Sequence, residues 1–499
     1  MATPFSTILQ KSRNIAATFL LCKPYSSTVR NRRNLFARIS PLGDPSISIS
    51  PILENWVQEG NPLGYKQLQR IIKSLRSSKR FSQALQVSEW MSSKGLCPIS
   101  AKDHAVQLNL IGKVRGLDSA KSYFQNLSDE DKTEKAYGAL LNCYVREGLV
   151  DKSLSLMQKI KDLGFISVLN YNNIMCLYLQ TEQYEEVFGV LESMKKDGVS
   201  PDTFSYRICI NSYGTRSDFF NMEKLLEEME LQSHVRSDWA TYAMVANYFI
   251  KADLKEKALV YLKKCEDKVD KRDTIAYNYL ISHYASLGNK KAMMRLWKLQ
   301  KENCKKQLNR EYITMLGSLV KLGDFDEAEK LLAEWEISTN SYDFRVPNIL
   351  LIGYSKNGLI EKAETMLQSI IEKGKNPIPN SWAIIAAGYV AKENMEKAFQ
   401  CMKKAVSVQP KNKGWRPKID VLSSILSWAI NNRDIDEVED FVNSLKNATS
   451  MNRDMYLSLI KMFDRSVKEV DKSLDSMRAD KIEVDEIWES MKDDKTELD

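Results

Sequence analysis

The sequence predicts an all-α fold, a right-handed α-solenoid of about eleven helix-turn-helix repeats of ~35 residues. Six tyrosines recur at steps of 34, 35, 36, 35 and 35 residues: Tyr137, Tyr171, Tyr206, Tyr242, Tyr277 and Tyr312. Small residues in the middle of the repeats keep the same register: Ser153, Ala258, Ala328, Ala363 and Ala398. A fixed period in the thirties over many steps indicates stacked helical repeats.

Residues 168–202 show one repeat most clearly. Apolar residues at helical spacing predict a first helix with one buried face: Tyr171, Ile174, Met175 and Tyr178. A second set predicts the second helix: Tyr184, Val187, Phe188, Leu191 and Met194. Gly198 suits a left-handed C-cap, Pro201 ends the helix and Asp202 can cap the next one. A repeat this short cannot bury both faces alone, so it needs copies on either side.

This repeat resembles the pentatricopeptide repeat. The resemblance rests on the opening Tyr171-Asn172, on Met194 and Gly198, and on the closing Pro201-Asp202, in order and at family spacing. Tyr277-Asn278 repeats the opening, and Gly288 marks the turn between helices. The competing tetratricopeptide repeat expects an early Trp-x-x-Leu-Gly, and these repeats lack that glycine. The resemblance covers residues 65–452 and implies the repeat-only P-type class of plant organelles, which binds RNA without catalysis.

The two ends of the chain differ from its middle. Residues 1–40 hold seven basic and no acidic residues, which leaves 65 basic against 65 acidic residues in the rest of the chain (72 minus 7, against 65). An acid-free, Arg-rich start predicts an organelle transit peptide, for the mitochondrion first and the plastid as the alternative. A secretory signal is the competing interpretation, because Ile15–Cys22 is apolar. We further predict a flexible lead-in at 41–64, the repeat solenoid at 65–452, and a helical cap with an acidic tail at 453–499.

The sequence motifs that mark common enzymes and metal sites do not occur in this chain. None of the eight cysteines forms a C-x-x-C pair, and none of the three histidines begins the H-x-E motif of zinc deaminases. No P-loop or G-x-S-x-G motif occurs, and no stretch reaches the ~20 apolar residues of a membrane span. We therefore expect no catalytic residue, no metal, no cofactor, no small-molecule substrate and no membrane span.

The resemblance also implies which residues contact RNA. In the family, the residue after the opening tyrosine and the last residue of the repeat read one base. We call these two residues the reading pair. The residue two before the tyrosine packs against the base. Asn172 and Asp202 match the uridine-preferring pair, with Leu169 as the packing residue.

Three further repeats match the reading pattern less completely. Asn278, with Ile275 as its packing residue, and Asn348 are each half of a pair, because Leu308 and Ile378 end those repeats. Ser423 and Asn452 match an adenine-type pair. The resemblance thus implies RNA contacts at all of these positions.

The remaining repeats depart from the pattern: Arg207 with Asp238, Ala243 with Asp273, Ile313 with Asp343, Ala383 with Lys418, and Gly138 with Ser167. Alanine and isoleucine cannot hydrogen-bond a base edge. A terminal aspartate has a second interpretation as the N-cap of the next helix.

An inserted basic loop, residues 409–418, is a further candidate contact. Trp415 lies among Lys411, Lys413 and Arg416, a combination that can neutralise phosphates and stack on a base. A surface loop with a packed tryptophan is the alternative. Lysine pairs on second helices, such as Lys403-Lys404, are interpreted as a solvated outer face.

Two functions follow from these observations. The first is non-catalytic binding of single-stranded organellar RNA, in transcript processing, stability or translation. The second is a structural subunit of an organellar ribosome or another assembly, which contacts ribosomal RNA or ribosomal proteins. The resemblance implies the first function, which we predict; the balanced charge beyond residue 40 and the incomplete reading pairs favour the second, which is the alternative.

Overall fold

The computed structural model describes residues 34–42, 47–94, 99–304, 306–339, 341–408 and 415–448. In this part of the chain all regular secondary structure is α-helical, and no strand occurs. The helices are α1 (Leu35–Ile39), α2 (Ser50–Gln58), α3 (Tyr65–Ser77), α4 (Phe81–Ser93), α5 (Ala101–Val114), α6 (Leu117–Gln125), α7 (Glu134–Arg146), α8 (Val150–Asp162), α9 (Val168–Gln180), α10 (Glu186–Lys196), α11 (Thr203–Thr215), α12 (Phe219–Leu231), α13 (Trp239–Lys251), α14 (Lys255–Asp267), α15 (Thr274–Ser286), α16 (Lys290–Asn303), α17 (Asn309–Lys321), α18 (Phe325–Ser338), α19 (Asn348–Lys356), α20 (Ile360–Glu372), α21 (Pro379–Ala391), α22 (Met395–Ser407), α23 (Ile419–Asn432) and α24 (Ile435–Ala448).

From α3 onward the described helices form eleven successive pairs, and the predicted all-helical repeat fold is confirmed. In each pair the odd-numbered helix is the first helix and the even-numbered one is the second. Most first helices begin at the first residue of a predicted repeat: Glu134, Val168, Thr203, Trp239, Thr274, Asn309, Pro379 and Ile419. The repeat at 344–378 differs, because Pro347 caps α19 and the helix begins only at Asn348.

The chain divides into two compact bodies, an N-terminal body of residues 1–248 and a C-terminal body of residues 249–499. In the N-terminal body each first helix from α5 to α11 packs against its own second helix, and α5, α7 and α9 each pack against the next first helix. In the C-terminal body the first helices from α15 to α23 pack in the same way. We call the stacked first helices of each body its first-helix layer.

The tyrosines that open the repeats belong to the core of these layers. Tyr171 and Tyr206 are each only 2% exposed, so their rings pack against neighbouring helices and offer no free face for stacking. Their hydroxyls reach carboxylates; the Tyr206 hydroxyl donates to Glu228 at 3.1 Å. Burial, with a smaller contribution from Glu228, raises the pKa of Tyr206 to about 12. The tyrosine period is therefore a packing period.

Three local features of the structure bear on the sequence analysis. Gly198 has a φ of 72°, the left-handed C-cap that its position predicts. The second helix of the same repeat begins only at Glu186, so Tyr184 lies before α10, and its carbonyl accepts a hydrogen bond from Ser212 at 2.7 Å. The segment expected to be a flexible lead-in contains α2, because Pro51 suits the first turn of a helix and Leu53 is fully buried. No described helix combines the length and apolar character that a membrane crossing requires.

The close approach of first helices in the N-terminal body gives a stability prediction. Gly214 on α11 faces the ring of Tyr248, and a β-carbon there would overlap the ring atoms. We expect Gly214→Ala to lower the free energy of unfolding by about 1–3 kcal/mol, because the overpacked ring must move. Gly189 is the matched control: it is also helical, but a β-carbon there meets no atom within 4 Å.

Gly189→Ala should raise stability by about 0.5–1 kcal/mol, because alanine loses less backbone entropy in a helix. Urea unfolding of both variants, followed by circular dichroism, measures the difference. Equal effects of the two substitutions would contradict the packing of α11 against Tyr248.

Candidate nucleic-acid interface

Asn172 and Asp202, the best-matched reading pair, lie in direct contact. Asp202 precedes α11 and accepts a hydrogen bond from the Ser205 backbone N–H at 2.8 Å, so it is the N-cap of that helix. The Asn172 amide nitrogen donates to the same carboxylate at 3.2 Å. The Ser205 hydroxyl donates to the amide oxygen of Asn172 at 2.7 Å. The two repeats are thus joined by a cluster of three polar side chains, in which Asn172 is buried and Asp202 is exposed.

Leu169, the predicted packing residue of this repeat, lies three residues before Asn172 on α9. Residues three apart share one face of a helix, and the Leu169 side chain is 50% exposed. An exposed aliphatic surface beside a hydrogen-bonding pair can hold the face and the edge of a planar ring. The arrangement suits a nucleotide base.

In the two incomplete reading pairs the asparagine is likewise buried and hydrogen-bonded. Asn348 is 4% exposed, and its amide oxygen accepts from the Ser381 hydroxyl at 2.8 Å. Asn278 is 8% exposed, and its amide oxygen accepts from Gln300 at 3.2 Å. Ile275, the packing residue of that repeat, is half-buried on the same helix face. Among the described residues neither asparagine has a carboxylate partner, because Leu308 and Ile378 end these repeats.

Two of the three terminal aspartates of the departing repeats, Asp238 and Asp273, act as helix caps, whereas Asp343 accepts hydrogen bonds from Arg345 and Asn309 before α19 begins. Asp238 accepts from the Thr241 N–H at 2.9 Å, and Asp273 accepts from the Ile275 N–H at 2.9 Å. Arg207 stands where the asparagine would be, and its guanidinium lies 3.6 Å from Asp238. An ion pair therefore occupies that reading position. The N-cap interpretation accounts for Asp238 and Asp273 without any base contact.

The remaining predicted contacts lie at the C-terminal end. Ser423 is half-buried on α23, Trp415 is half-buried and Arg416 is exposed. Lys411 and Lys413 of the basic loop and Asn452 of the adenine-type pair lie outside the described residues. These residues remain predicted contacts.

Lysines of the second helices are held in ion pairs between successive repeats. Lys161 lies 2.6 Å from Asp197, and Lys301 lies 2.7 Å from Glu334. The hydrogen bond from Lys161, followed by one from Tyr171, lowers the pKa of Asp197 below its usual value of 3.8. Lys161 and Lys301 are therefore neutralised on the protein itself. Lys403, from the lysine pair named above, is neutralised in the same way by Glu437 at 2.8 Å.

A set of basic residues in the last turns of first helices was missed by the sequence analysis. In the N-terminal body these are Lys113 and Arg146, 33 residues apart, and in the C-terminal body Lys321 and Lys356, 35 residues apart. Lys356 is exposed, and the structure records no ion pair for it among the described residues. The spacing of about one repeat between these basic residues was the feature of the sequence that could have identified them. Each lies on a first helix, eight residues after the second position of the opening pair of its repeat: Ala105, Gly138, Ile313 and Asn348.

In the described part of the chain, neither the cysteines nor the other potential metal ligands form a second candidate site. Burial raises the pKa of the Cys209 thiol, which keeps it protonated. Among the described residues, no three histidine, cysteine, aspartate or glutamate side chains are grouped to hold a metal ion.

Comparison with known proteins identifies the repeats. The pentatricopeptide repeat model matches residues 135–165, 312–337 and 346–374, and the related repeat-family model matches residues 166–215. A mitochondrial pentatricopeptide repeat-containing protein of Arabidopsis thaliana is 44% identical over 95% of this chain and 96% of its own length. The chain belongs to the pentatricopeptide repeat family. The resemblance inferred from Tyr171-Asn172 and Pro201-Asp202 is confirmed.

Two other comparisons describe further members of the family. The Arabidopsis thaliana large ribosomal subunit protein mL101 is 30% identical over 90% of this chain and 92% of its own. A crystal structure of the pentatricopeptide repeat protein PPR10 with an 18-nt RNA element aligns with 89% of both chains at 15% identity, with a TM-score of 0.34. That score is too low to support an argument about this chain.

The location of this pentatricopeptide repeat protein follows from its relatives. Four Arabidopsis thaliana members, 44, 37, 30 and 30% identical to this chain, are named as mitochondrial. The predicted mitochondrial location is confirmed, and the plastid alternative is not supported by these names.

The double role of Asp202 gives a second prediction. Asp202→Ala removes the N-cap of α11 and should lower the free energy of unfolding by about 1 kcal/mol, whereas Asp202→Asn keeps a capping oxygen and should change it by less than ~0.5 kcal/mol. Asp218→Ala, which removes the cap of α12 outside any reading pair, is the matched control. Guanidinium unfolding measures all three. Equal losses for Asp202→Asn and Asp202→Ala would show that charge, rather than capping, is what Asp202 contributes.

Proposed function

We propose that this mitochondrial pentatricopeptide repeat protein binds single-stranded organellar RNA without catalysis and acts in transcript processing, stability or translation. The observation that carries the proposal is the contact of Asn172 with Asp202, beside the exposed Leu169. A donor, an acceptor and an apolar surface meet there, as recognition of one base by one helical repeat requires.

The distribution of unpaired and paired cations among the described residues supports the first-helix layer as the RNA-binding surface. Phosphate contacts dominate affinity for nucleic acid and need cations that are not already neutralised. The second-helix lysines, such as Lys161 and Lys301, face carboxylates of the next repeat. The exposed Lys356 lies at the end of α19, the helix that begins with Asn348. A strand that places a base against Asn348 can therefore have its backbone near a cation of the same helix.

The proposal assigns no reaction to the protein. The sequence lacks deaminase, P-loop and G-x-S-x-G motifs, and the pentatricopeptide repeat family is generally non-catalytic. RNA held along the first-helix layer would be protected from nucleases or kept from pairing with another segment, and either effect changes the fate of a transcript without a chemical step.

The division of the chain into functional segments is also part of the proposal. Residues 1–40 would direct import, residues 65–452 would bind RNA, and residues 453–499 would cap the array and keep it soluble. The segment at 41–64 would join the first two, with α2 as its ordered part.

A structural role in an assembly is the second candidate. One relative with 30% identity over 90% of this chain is named as a protein of the large ribosomal subunit. The chain beyond residue 40 carries equal numbers of basic and acidic residues, which is unusual for a protein held to RNA mainly by phosphate contacts. This candidate predicts association with ribosomal RNA or ribosomal proteins.

Ultraviolet crosslinking and immunoprecipitation of the tagged protein from purified mitochondria separates the two candidates. We expect a sharp footprint on one or two messenger transcripts, because matched reading pairs select a short sequence. The recovered site then serves to test Asn172→Ala, which should weaken binding about 5- to 100-fold through the loss of contact with one uridine. Substitution of any other nucleotide in the site should lower the affinity of the variant as much as it lowers that of the wild-type protein.

Asn109→Ala is the matched control, since Asn109 is a half-buried asparagine on a first helix outside the reading position. Recovery of ribosomal RNA across its length, or of no RNA above background, would refute the transcript-binding proposal. An equal loss of affinity for every sequence would refute base reading at Asn172.

A further inference from the structure

Each reading asparagine has its amide oxygen tied to a donor from outside its own helix. Ser205 donates to Asn172 at 2.7 Å, and Ser381 donates to Asn348 at 2.8 Å. Both serines are fully buried and stand 33 residues after their asparagine, at the third residue of the following repeat. The same contact therefore occurs once in each compact body.

Hydrogen-bond chemistry fixes which end of the Asn172 amide faces the serine. The carboxylate of Asp202 can only accept, so the atom of Asn172 that lies 3.2 Å from it must be the amide nitrogen. The amide oxygen then faces Ser205. The serine hydroxyl also lies 2.9 Å from Asp202, but giving its proton to Asp202 would leave the amide oxygen without a donor.

A third repeat reaches the same orientation by another route. The Gln300 amide nitrogen donates to the backbone carbonyl of Thr274 at 3.3 Å and to the amide oxygen of Asn278 at 3.2 Å. A carbonyl can only accept, so the nitrogen end of Gln300 faces both groups and Asn278 presents its oxygen to it. In Asn278 and Asn348, the amide nitrogen makes no hydrogen bond to the described residues, so it is the group left for a ligand.

We propose that Ser205 and Ser381 are positioning residues for base recognition, each of which holds the amide of the preceding reading asparagine with its oxygen inward and its N–H donors toward the RNA base. This inference rests on the proposed function and adds to the reading pair a residue of the next repeat. Without the hydroxyl, the amide can rotate by 180° about its last bond and present either a donor or an acceptor. The repeat would then still bind a base but would discriminate poorly between bases.

Selection from a randomised 20-nucleotide RNA library, with sequencing of the bound fraction, tests the positioning role in the full chain. We expect the wild-type protein to enrich a motif, and Ser381→Ala to reduce the preference at one motif position about three- to ten-fold while the other positions keep theirs. Ser205→Ala should reduce the preference at a different motif position, because Asn172 and Asn348 belong to different repeats.

Two matched variants separate positioning from a general structural effect. Ser381→Thr keeps a hydroxyl at this site and should restore the preference; Thr241 already stands at the third residue of its own repeat. Ser318→Ala removes a buried hydroxyl whose bond, to the Thr314 carbonyl, stays within α17, and it should leave the motif unchanged.

The outcomes are distinct. If Ser381→Ala and Ser205→Ala leave the wild-type motif unchanged, or weaken it equally at all positions, the positioning role alone is overturned. A wild-type protein that enriches no motif refutes the proposed function, and the positioning role falls with it.

A measurement without RNA checks the contact itself. In unfolding experiments the destabilisation by Ser381→Ala should shrink by at least half when Asn348 is already alanine, because the two side chains share one hydrogen bond. Additive effects would overturn the inference even if the single variant folds poorly.

Discussion

Each repeat of this protein depends on the next one for both its stability and its binding surface. A helix pair of about 35 residues cannot bury both of its apolar faces, so the stacking of first helices supplies the missing cover. The same junction supplies the polar contacts: Asp202 caps α11 and holds the Asn172 amide, and Ser205 belongs to the following helix. Stacking thus fixes the distance between groups that lie 30 or more residues apart in sequence.

This dependence explains why an incomplete reading pair still yields an ordered repeat. Where Ile378 ends the repeat, α21 begins without a side-chain cap, yet Ser381 still contacts Asn348. Where Asp238 ends a repeat, it caps α13 and faces Arg207, and the reading position is occupied by an ion pair. Folding requires the packing of the helices, whereas base reading requires a particular pair of side chains. The first can be complete in every repeat while the second is complete in few.

The fold was predictable from the sequence because one period carries most of it. The tyrosines that set the period are buried, and Gly198 adopts the left-handed conformation that ends a helix. The start of α10 was not predictable to the residue, since Tyr184 continues the apolar pattern but lies before the helix. The helix at Ser50–Gln58 was missed because its prolines and flanking glycines resemble a linker, although Leu53 is buried in the structure.

The candidate site was predictable only in part, for a physical reason. A resemblance to a family identifies positions within one repeat, such as Asn172 and Asp202, but the groups that orient those side chains come from a neighbouring element. Ser205 and Gln300 both donate to an asparagine amide oxygen, but from different helices. Ser205 lies on the first helix of the next repeat, whereas Gln300 lies on the second helix of the same repeat as Asn278. No spacing rule covers both, because what is shared is the donor that an inward-facing amide oxygen needs. On the proposed function, the groups that hold each amide decide which repeats read a base as much as the two residues of the reading pair do.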